Sequence, residues 1–272
     1  MFKINLVWAL ALCCTIVGMQ CADTSCVIQG GIAFDMIMAK LQLLEDRCIR
    51  KEDKLVASDD LYRSCSEVSS SGVYTIQPEK PFKEPLTVLC DQQYETGGWI
   101  VIQHRFDGST YFNRIWNEYK NGFGNLNGEF WLGLDRIYQL TSSVPHELVV
   151  LLEDFDGGKV YAKYDLFEIG DESEKYVLKK LGVYSGTAGD SFSGAKGMKF
   201  STIDADNDTW ENQCAVKYTG AWWYSNCHMS NLNGKYLRGK TTEYATSMVW
   251  NTFRGYYYSL KTSKMMLRPK KV

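Results

Sequence analysis

The sequence predicts one mixed domain of short strands and short helices, set behind a short helical stem and a cleavable leader. Three observations carry this. From about Leu61 onward, short β-prone runs alternate with glycine turns and dense aromatics. Between Phe34 and Leu55, apolar residues recur at alternating steps of three and four. The N-terminus opens on Lys3 followed by an acid-free apolar stretch from Ile4 to Met19. Its 272 residues suit one domain plus an extension. With 45% hydrophobic, 14% aromatic and 23% charged residues, it can bury a sizeable core. Lys plus Arg total 30 against 32 for Asp plus Glu, a net charge of −2, so there is no general electrostatic case for nucleic acid. His104, His146 and His228 lie far apart, and none belongs to an H-E-x-x-H or Cys-x-x-Cys pattern, which disfavours a zinc hydrolase.

The leader, residues 1–22, reads as a secretory signal peptide because the apolar stretch ends at the small residues Cys21 and Ala22. A membrane anchor is the competing reading, disfavoured because the stretch is short for a span and contains Asn5. Cleavage is expected after Ala22, with Gly18 and Cys21 as alternatives, since Gln20 is a poor third residue before the site. No later apolar run is long enough for a span, so a secreted, extracellular protein is expected.

Residues 23–60 form the expected stem. Phe34, Ile37, Leu41, Leu44, Cys48 and Leu55 make a short heptad seam broken only at Lys51. About three heptads are marginal alone, so interchain disulfides at Cys26 and Cys48 are expected to supplement a homo-oligomer. Two bland readings stay open: an amphipathic helix docked on the domain, and a Cys26–Cys48 bridge within one polypeptide. Of nine cysteines, Cys13, Cys14 and Cys21 leave with the leader. The spacings among the rest suggest Cys65–Cys90 and Cys214–Cys227 as local bridges.

The domain spans 61–272. Strands are expected over 98–105, 147–154, 159–169 and 256–267, and helices over 111–120 and 134–142. Neither face of 159–169 is uniformly apolar, which suggests a wet or edge setting. Between Gly182 and Tyr244 no regular period persists, yet Trp210, Tyr218, Trp222, Trp223 and Tyr224 crowd into the stretch, and loops this long are usually functional. The same stretch holds Asp204, Asp206 and Asp208 in alternation, a pattern that can aim oxygen ligands at one hard cation or simply form an Asx-rich turn. It is not an EF-hand, because Thr209 and Ala215 stand where that loop needs glycine and glutamate. Asn207-Asp-Thr is also a glycosylation sequon. His104 and His146 read as structural histidines, and Lys264, Arg268, Lys270 and Lys271 as a solvated basic tail.

Taken in order, Cys65-Ser-Glu-Val, Ser71-Gly-Val-Tyr-Thr-Ile, Gly97-Gly-Trp-Ile-Val-Ile-Gln, Arg105-Phe-Asp-Gly-Ser, Tyr119-Lys-Asn-Gly-Phe-Gly, Glu129-Phe-Trp-Leu-Gly-Leu, Phe200-Ser-Thr, Asp204-Ala-Asp-Asn-Asp, Asn226-Cys-His and Leu232-Asn-Gly resemble a fibrinogen C-terminal domain from about residue 61 to the end. The resemblance implies an α+β fold with a small N-terminal subdomain, a central twisted antiparallel sheet and a loop-rich C-terminal subdomain that carries the ligand sites. Both local cysteine pairs match the family's bridges. By position, it puts Ca²⁺ on the side chains of Asp206 and Asp208 and on the carbonyls of Trp210 and Asn212, with Asp204 in support.

In acetyl-binding members similar to ficolins and tachylectins, the peptide before the second cysteine is cis, here Asn226–Cys227, and turns the N–H groups of Cys227 and His228 toward a ligand oxygen. The acetyl methyl sits in an aromatic funnel that corresponds here to Tyr218, His228, Tyr244 and Tyr256. Pattern alone reads these tyrosines as core aromatics. The fibrin-knob pocket instead uses acidic and amide side chains where this sequence has Lys217, Tyr218 and Ala245, which opposes knob capture. The resemblance therefore implies a secreted, oligomeric, calcium-dependent lectin for acetylated groups on carbohydrates or other surfaces, with innate defence as its setting. The alternative is an angiopoietin-like receptor ligand. Catalysis is not implied, because no nucleophile is paired with a base or an open metal site.

Overall fold

A computed structural model of the protein describes residues 62–78 and 85–270. The expected leader and stem, with Cys26 and Cys48, lie outside the described residues. The compact unit that holds the rest runs from Asp60 to Val272.

One antiparallel sheet organises the domain. Its main path is β1 (Gly72–Ile76), β2 (Leu86–Asp91), β3 (Trp99–Arg105), β14 (Thr262–Pro269), β6 (His146–Glu153), β7 (Lys159–Ile169) and β8 (Leu178–Leu181). Short strands β4 (Phe123–Gly124), β5 (Phe130–Trp131) and β9 (Tyr184–Gly186) join it off that path. Two small pairs stand apart from it, β10 (Ser230–Asn231) with β12 (Val249–Trp250) and β11 (Gly239–Lys240) with β13 (Tyr258–Ser259). Strand β3 reads as a nearly unbroken apolar run because β2 and β14 flank it and both of its faces are covered. Four helices complete the frame among the described residues: α1 (Trp116–Asn121), α2 (Leu134–Ser143), α3 (Cys214–Tyr218) and α4 (Asn251–Arg254). Helix α2 buries Leu134, Ile137 and Leu140 on one face, as a three-residue spacing demands. It can start so close to α1 because Gly133 has φ +112°, and a Cβ there would sit 2.8 Å from the Asn121 carbonyl.

Four expectations change. Strand β7 is interior rather than an edge, since it pairs with β6 on one side and β8 and β9 on the other. Its pattern looked mixed because Leu148 faces Tyr164 while His146 faces Phe167, so a bulge shifts the inward phase between Tyr164 and Phe167. The run 256–267 splits at Leu260 and Lys261: β13 pairs with β11, whereas β14 joins the main sheet. Helix α1 starts only at Trp116, because Thr110 and Phe112 are held by bonds to Glu129 and from the Tyr119 hydroxyl. Finally, Lys264 and Arg268 are not tail residues. They lie in β14, where Lys264 meets Asp91 at 3.0 Å and Arg268 bonds Glu147 at 2.7 Å over the Trp99 ring.

The Trp and Tyr residues of the irregular stretch divide by burial. Trp222, Trp223 and Tyr224 are buried, and Trp223 packs edge-on against Phe200 at 5.0 Å and donates to the Tyr176 carbonyl. Loop and sheet are joined where Gln103 Nε2 donates to the Leu232 carbonyl and to Asn233 Oδ1. Trp210 and Tyr218 are only half-buried, which leaves their rings available to a surface site. His146 is structural, with Nδ1 2.8 Å from the Val144 carbonyl oxygen and an imidazole that burial pushes down to about 4.

Candidate functional site

The site is assembled on the second disulfide. Cys214 opens α3 and is bonded to Cys227, while Cys65 is bonded to Cys90 of β2. With only five residues, α3 needs outside help, and Asp208 supplies it by accepting from the Cys214 and Trp210 N–H groups at 2.9 Å each. Gln213 Nε2 reaches back to the Thr202 and Ile203 carbonyls. Asn231 clamps the far side, accepting from the Tyr224 hydroxyl and donating to the Tyr218 carbonyl. The Asn226–Cys227 peptide is cis.

All five ligand residues expected from the family resemblance meet at one cavity of about 230 Å³, namely Tyr218, Cys227, His228, Tyr244 and Tyr256. Trp210, Asn226 and Ala245 complete its wall. The rings follow one another from Trp210 to Tyr218 (6.5 Å), Tyr218 to His228 (5.0 Å), His228 to Tyr256 (6.1 Å) and Tyr256 to Tyr244 (5.1 Å). Two of these walls come from distant segments that Ala245 brings together, its N–H donating to the Tyr256 carbonyl. The Tyr256 hydroxyl donates to the His228 carbonyl at 3.0 Å.

The pocket is electrically neutral. Burial pushes the His228 imidazole down to about 4, outweighing an opposing pull from the Ala245 backbone, so the ring carries no charge near neutral pH. Burial, and then the neighbouring tyrosines, push the Tyr256 phenol up. Neither ring nitrogen of His228 reaches a partner in hydrogen-bond geometry among the described residues, and neither do the backbone N–H groups of Cys227 and His228. A small uncharged cavity ringed by aromatic side chains, with unpaired backbone donors in its wall, can hold a neutral group that has a methyl at one end and a carbonyl oxygen at the other.

Sequence reasoning missed two residues here. Trp210 is singled out only for its carbonyl, yet its ring is part of the wall. Tyr257, 56% exposed, extends the aromatic rim by packing against Tyr244 at 5.3 Å. The triplet Tyr256-Tyr257-Tyr258 is the signal that could have flagged it.

The acidic loop adjoins the pocket through Trp210. Asp206 Oδ1 accepts from the Asp208 N–H at 3.3 Å, so the two carboxylates are neighbours. Burial and then, among the raising influences, the Asp206 charge push the Asp208 carboxyl up, against the bonds from Cys214 and Trp210 that hold it down. No backbone hydrogen bond reaches the Trp210 or Asn212 carbonyl among the described residues. Paired carboxylates with free carbonyls are the donor set of a hard cation, and in this respect the residues fit Ca²⁺. No group of three or more His, Cys, Asp or Glu gathers among the described residues, so any ion here relies on neutral oxygens. Asp204 is a brace, accepting from the Trp116 N–H and the Thr202 hydroxyl. The half-buried Asn207 donates its side-chain amide to the Phe200 carbonyl at 2.9 Å.

A larger cavity of about 450 Å³ lies over the sheet between His104, Leu151, Tyr161 and Lys264. It contains none of the expected residues, and none of its side chains is among the buried polar atoms left without a partner. The smaller cavity is therefore the better candidate despite its size.

Comparison with known proteins agrees with this architecture. The family model described as the C-terminal globular domain of fibrinogen beta and gamma chains matches residues 59–270. Fibrinogen C domain-containing protein 1 of Mus musculus is 45% identical over 251 residues, covering 89% of this chain and 54% of its own. The present sequence thus spans about half the length of that relative. The fibrinogen-like globe domain of human ANGPTL2 is 44% identical with a TM-score of 0.74, covering 77% of this chain and 100% of that one. Lamprey fibrin D-dimer, solved with the peptide Gly-His-Arg-Pro-amide, is 31% identical with a TM-score of 0.72, covering 88% and 89%. These relatives are neither ficolins nor tachylectins, so they support the family without the lectin branch that the motifs suggested.

Proposed function

The protein belongs to the family defined by the C-terminal globular domain of the fibrinogen beta and gamma chains, and from that premise we propose that it is a secreted, calcium-dependent lectin for acetylated groups. The observation that supports this reading best is the neutral aromatic pocket of Tyr218, His228, Tyr244 and Tyr256, with the unpaired N–H groups of Cys227 and His228 at its base. The methyl of an acetyl group fits the rings and its carbonyl oxygen takes the donors. N-acetylglucosamine and acetylated lysine are expected to compete for the site, whereas glucosamine is not. Losing the acceptor costs about 1–3 kcal/mol and losing the methyl roughly 1 more. Glucosamine competing as well as its acetylated form would sink the reading.

Ca²⁺, held by Asp206, Asp208 and the carbonyls of Trp210 and Asn212, stiffens the loop that carries Trp210. A ligand bound only to the folded state adds about 2.7 kcal/mol at a hundredfold excess over its Kd. Chelation is then expected to lower Tm by about 5–10 °C for a domain of this size. Asp206→Asn should reproduce much of that shift. Asp208→Ala is a poorer mimic, because Asp208 also caps α3 and its loss destabilises the fold without any ion. A melting curve that chelator leaves in place refutes the site.

A single acetyl pocket offers few atoms and binds weakly, so several linked copies supply the avidity. Disulfides at Cys26 and Cys48 provide the linkage in this reading. Non-reducing electrophoresis should show dimers or larger species that collapse on reduction. A monomer without free thiols would assign the two cysteines to one intrachain bridge instead.

The 44% identity to the ANGPTL2 globe favours a second reading, a receptor ligand that presents the same subdomain to a protein. The exposed Tyr244 and Tyr257 suit such a face. Retention on a surface that ignores excess acetate but yields to a soluble receptor ectodomain would select it.

A further inference from the structure

Tyr256, a wall of the pocket, and Tyr257, on its exposed rim, stand between Arg254 and Tyr258, and both of those neighbours are fastened to the turn that joins β6 to β7. In that turn the buried Asp154 uses Oδ1 to accept from the Asp156 and Gly158 N–H groups at 2.9 and 2.7 Å. Its Oδ2 accepts from Arg254 Nη1 at 3.0 Å, while Arg254 Nη2 donates to Asp156. The guanidinium lies 4.2 Å from the centre of the Tyr258 ring, and the Tyr258 hydroxyl oxygen accepts from the Phe155 N–H at 2.9 Å. One turn thus grips the tyrosine triplet at both ends. Isolated surface pairs contribute little, but a forked guanidinium set on two carboxylates, one of them buried, fixes an orientation as well as a distance. Within the ligand subdomain, Tyr256 and Tyr257 are held through their carbonyls, which accept from the Ala245 and Thr241 N–H groups. Their direction out of α4 is not set locally, because Gly255 follows at φ +75° and a Cβ there would meet nothing within 4 Å. None of Asp154, Asp156, Arg254 and Tyr258 lines the pocket.

We propose that Asp154, Arg254 and Tyr258 form a clamp that positions the binding site: they set Tyr256 and Tyr257 at the pocket without touching the ligand. The proposal rests on the acetyl-pocket reading and adds to it positioning residues, outside the cavity, that govern its affinity. The β6–β7 turn is thereby coupled to ligand binding.

Two small deletions test the clamp without removing a pocket residue. Arg254→Leu takes away the fork, and Tyr258→Phe takes away only the acceptor of the Phe155 N–H. At saturating calcium, each is expected to weaken binding of N-acetylglucosamine by about fivefold per folded molecule, within the range by which changes along a packed network shift binding elsewhere. Arg254→Lys keeps the charge but not the fork and should lose less. Coupling is reciprocal, so saturating N-acetylglucosamine should slow hydrogen exchange at the Phe155 and Asp156 amides of the wild-type protein relative to the amides of β2. A clasp with a merely structural role would leave that ratio unchanged. The exchange measurement needs no variant, so a failure of Arg254→Leu to fold does not hide the answer. The clamp is overturned if either deletion binds the sugar like the wild type once the folded fraction is counted, or if the sugar leaves the exchange ratio where it was. Failure of N-acetylglucosamine to bind the wild-type protein is a separate result. It overturns the acetyl-pocket reading and the clamp's role with it.

Discussion

Glu129→Ala is expected to destabilise the domain by about 3–5 kcal/mol, the usual cost of stripping one partner from a buried ion pair. Glu129 is 1% exposed, and Oε1 alone accepts from the N–H groups of Phe106, Asp107 and Gly108. Oε2 accepts from Thr110 N–H and lies 3.8 Å from Arg105 Nε. Arg105 is equally buried, sits over the Phe112 ring at 3.9 Å, and uses Nη1 to hold the Leu232 and Gly234 carbonyls. Burial pushes its guanidinium down to about 10, and the neighbouring Glu129 carboxylate opposes that shift. Alanine leaves four backbone N–H groups without their acceptor and the buried Arg105 without its counter-charge, at the point where β3 grips the Leu232–Gly234 segment. Domains of this kind hold about 5–15 kcal/mol in all, so secreted yield and the urea midpoint should both fall steeply. Glu129→Gln, which keeps an acceptor, should fall less. A midpoint within error of wild type for the alanine variant would show that water replaces the carboxylate and that the pair is not the clasp described.

The same clasp shows what could be read in advance. Arg105-Phe-Asp-Gly-Ser and Glu129-Phe-Trp-Leu-Gly-Leu stand out in the sequence as motifs, yet nothing in their spacing says that one closes on the other across 24 residues. Strands with long apolar runs, such as β3 and β6, are legible because burial on both faces leaves little choice of residue. Strand β7 is misjudged at its edge status because a bulge shifts its phase, and the run ending in β14 is misjudged because sheet partners, not local propensity, decide where it breaks. The pocket is harder still. Its walls come from α3, the Cys227 loop and segments near 244 and 256, and no period links them, so their meeting is foreseeable only through family resemblance. Pattern alone makes Tyr218, Tyr244 and Tyr256 core aromatics, and for the half-buried Tyr218 that reading is partly right, since its ring packs against Trp210 and His228.

Tyr244→Ala is expected to abolish retention on an acetylated matrix while leaving the fold and its calcium response intact. Tyr244 is 48% exposed, so truncation leaves no buried polar atom stranded. Its ring contributes one wall of the cavity, standing 5.1 Å from Tyr256 and 5.3 Å from Tyr257. Removing a contact surface of that kind costs each site about 1–2 kcal/mol, roughly tenfold in affinity. Linked sites multiply this loss, because each later attachment in an oligomer is weakened by the same factor, so a modest change in a single pocket becomes loss of retention on a surface. Tyr256→Phe separates the structural from the recognitive role: it deletes only the hydroxyl that donates to the His228 carbonyl and should loosen the His228 segment before it empties the pocket. Retention and thermal unfolding measured side by side distinguish the two variants. If Tyr244→Ala is retained like the wild type, the aromatic funnel is not the recognition site and the exposed tyrosines belong to a protein-binding face instead.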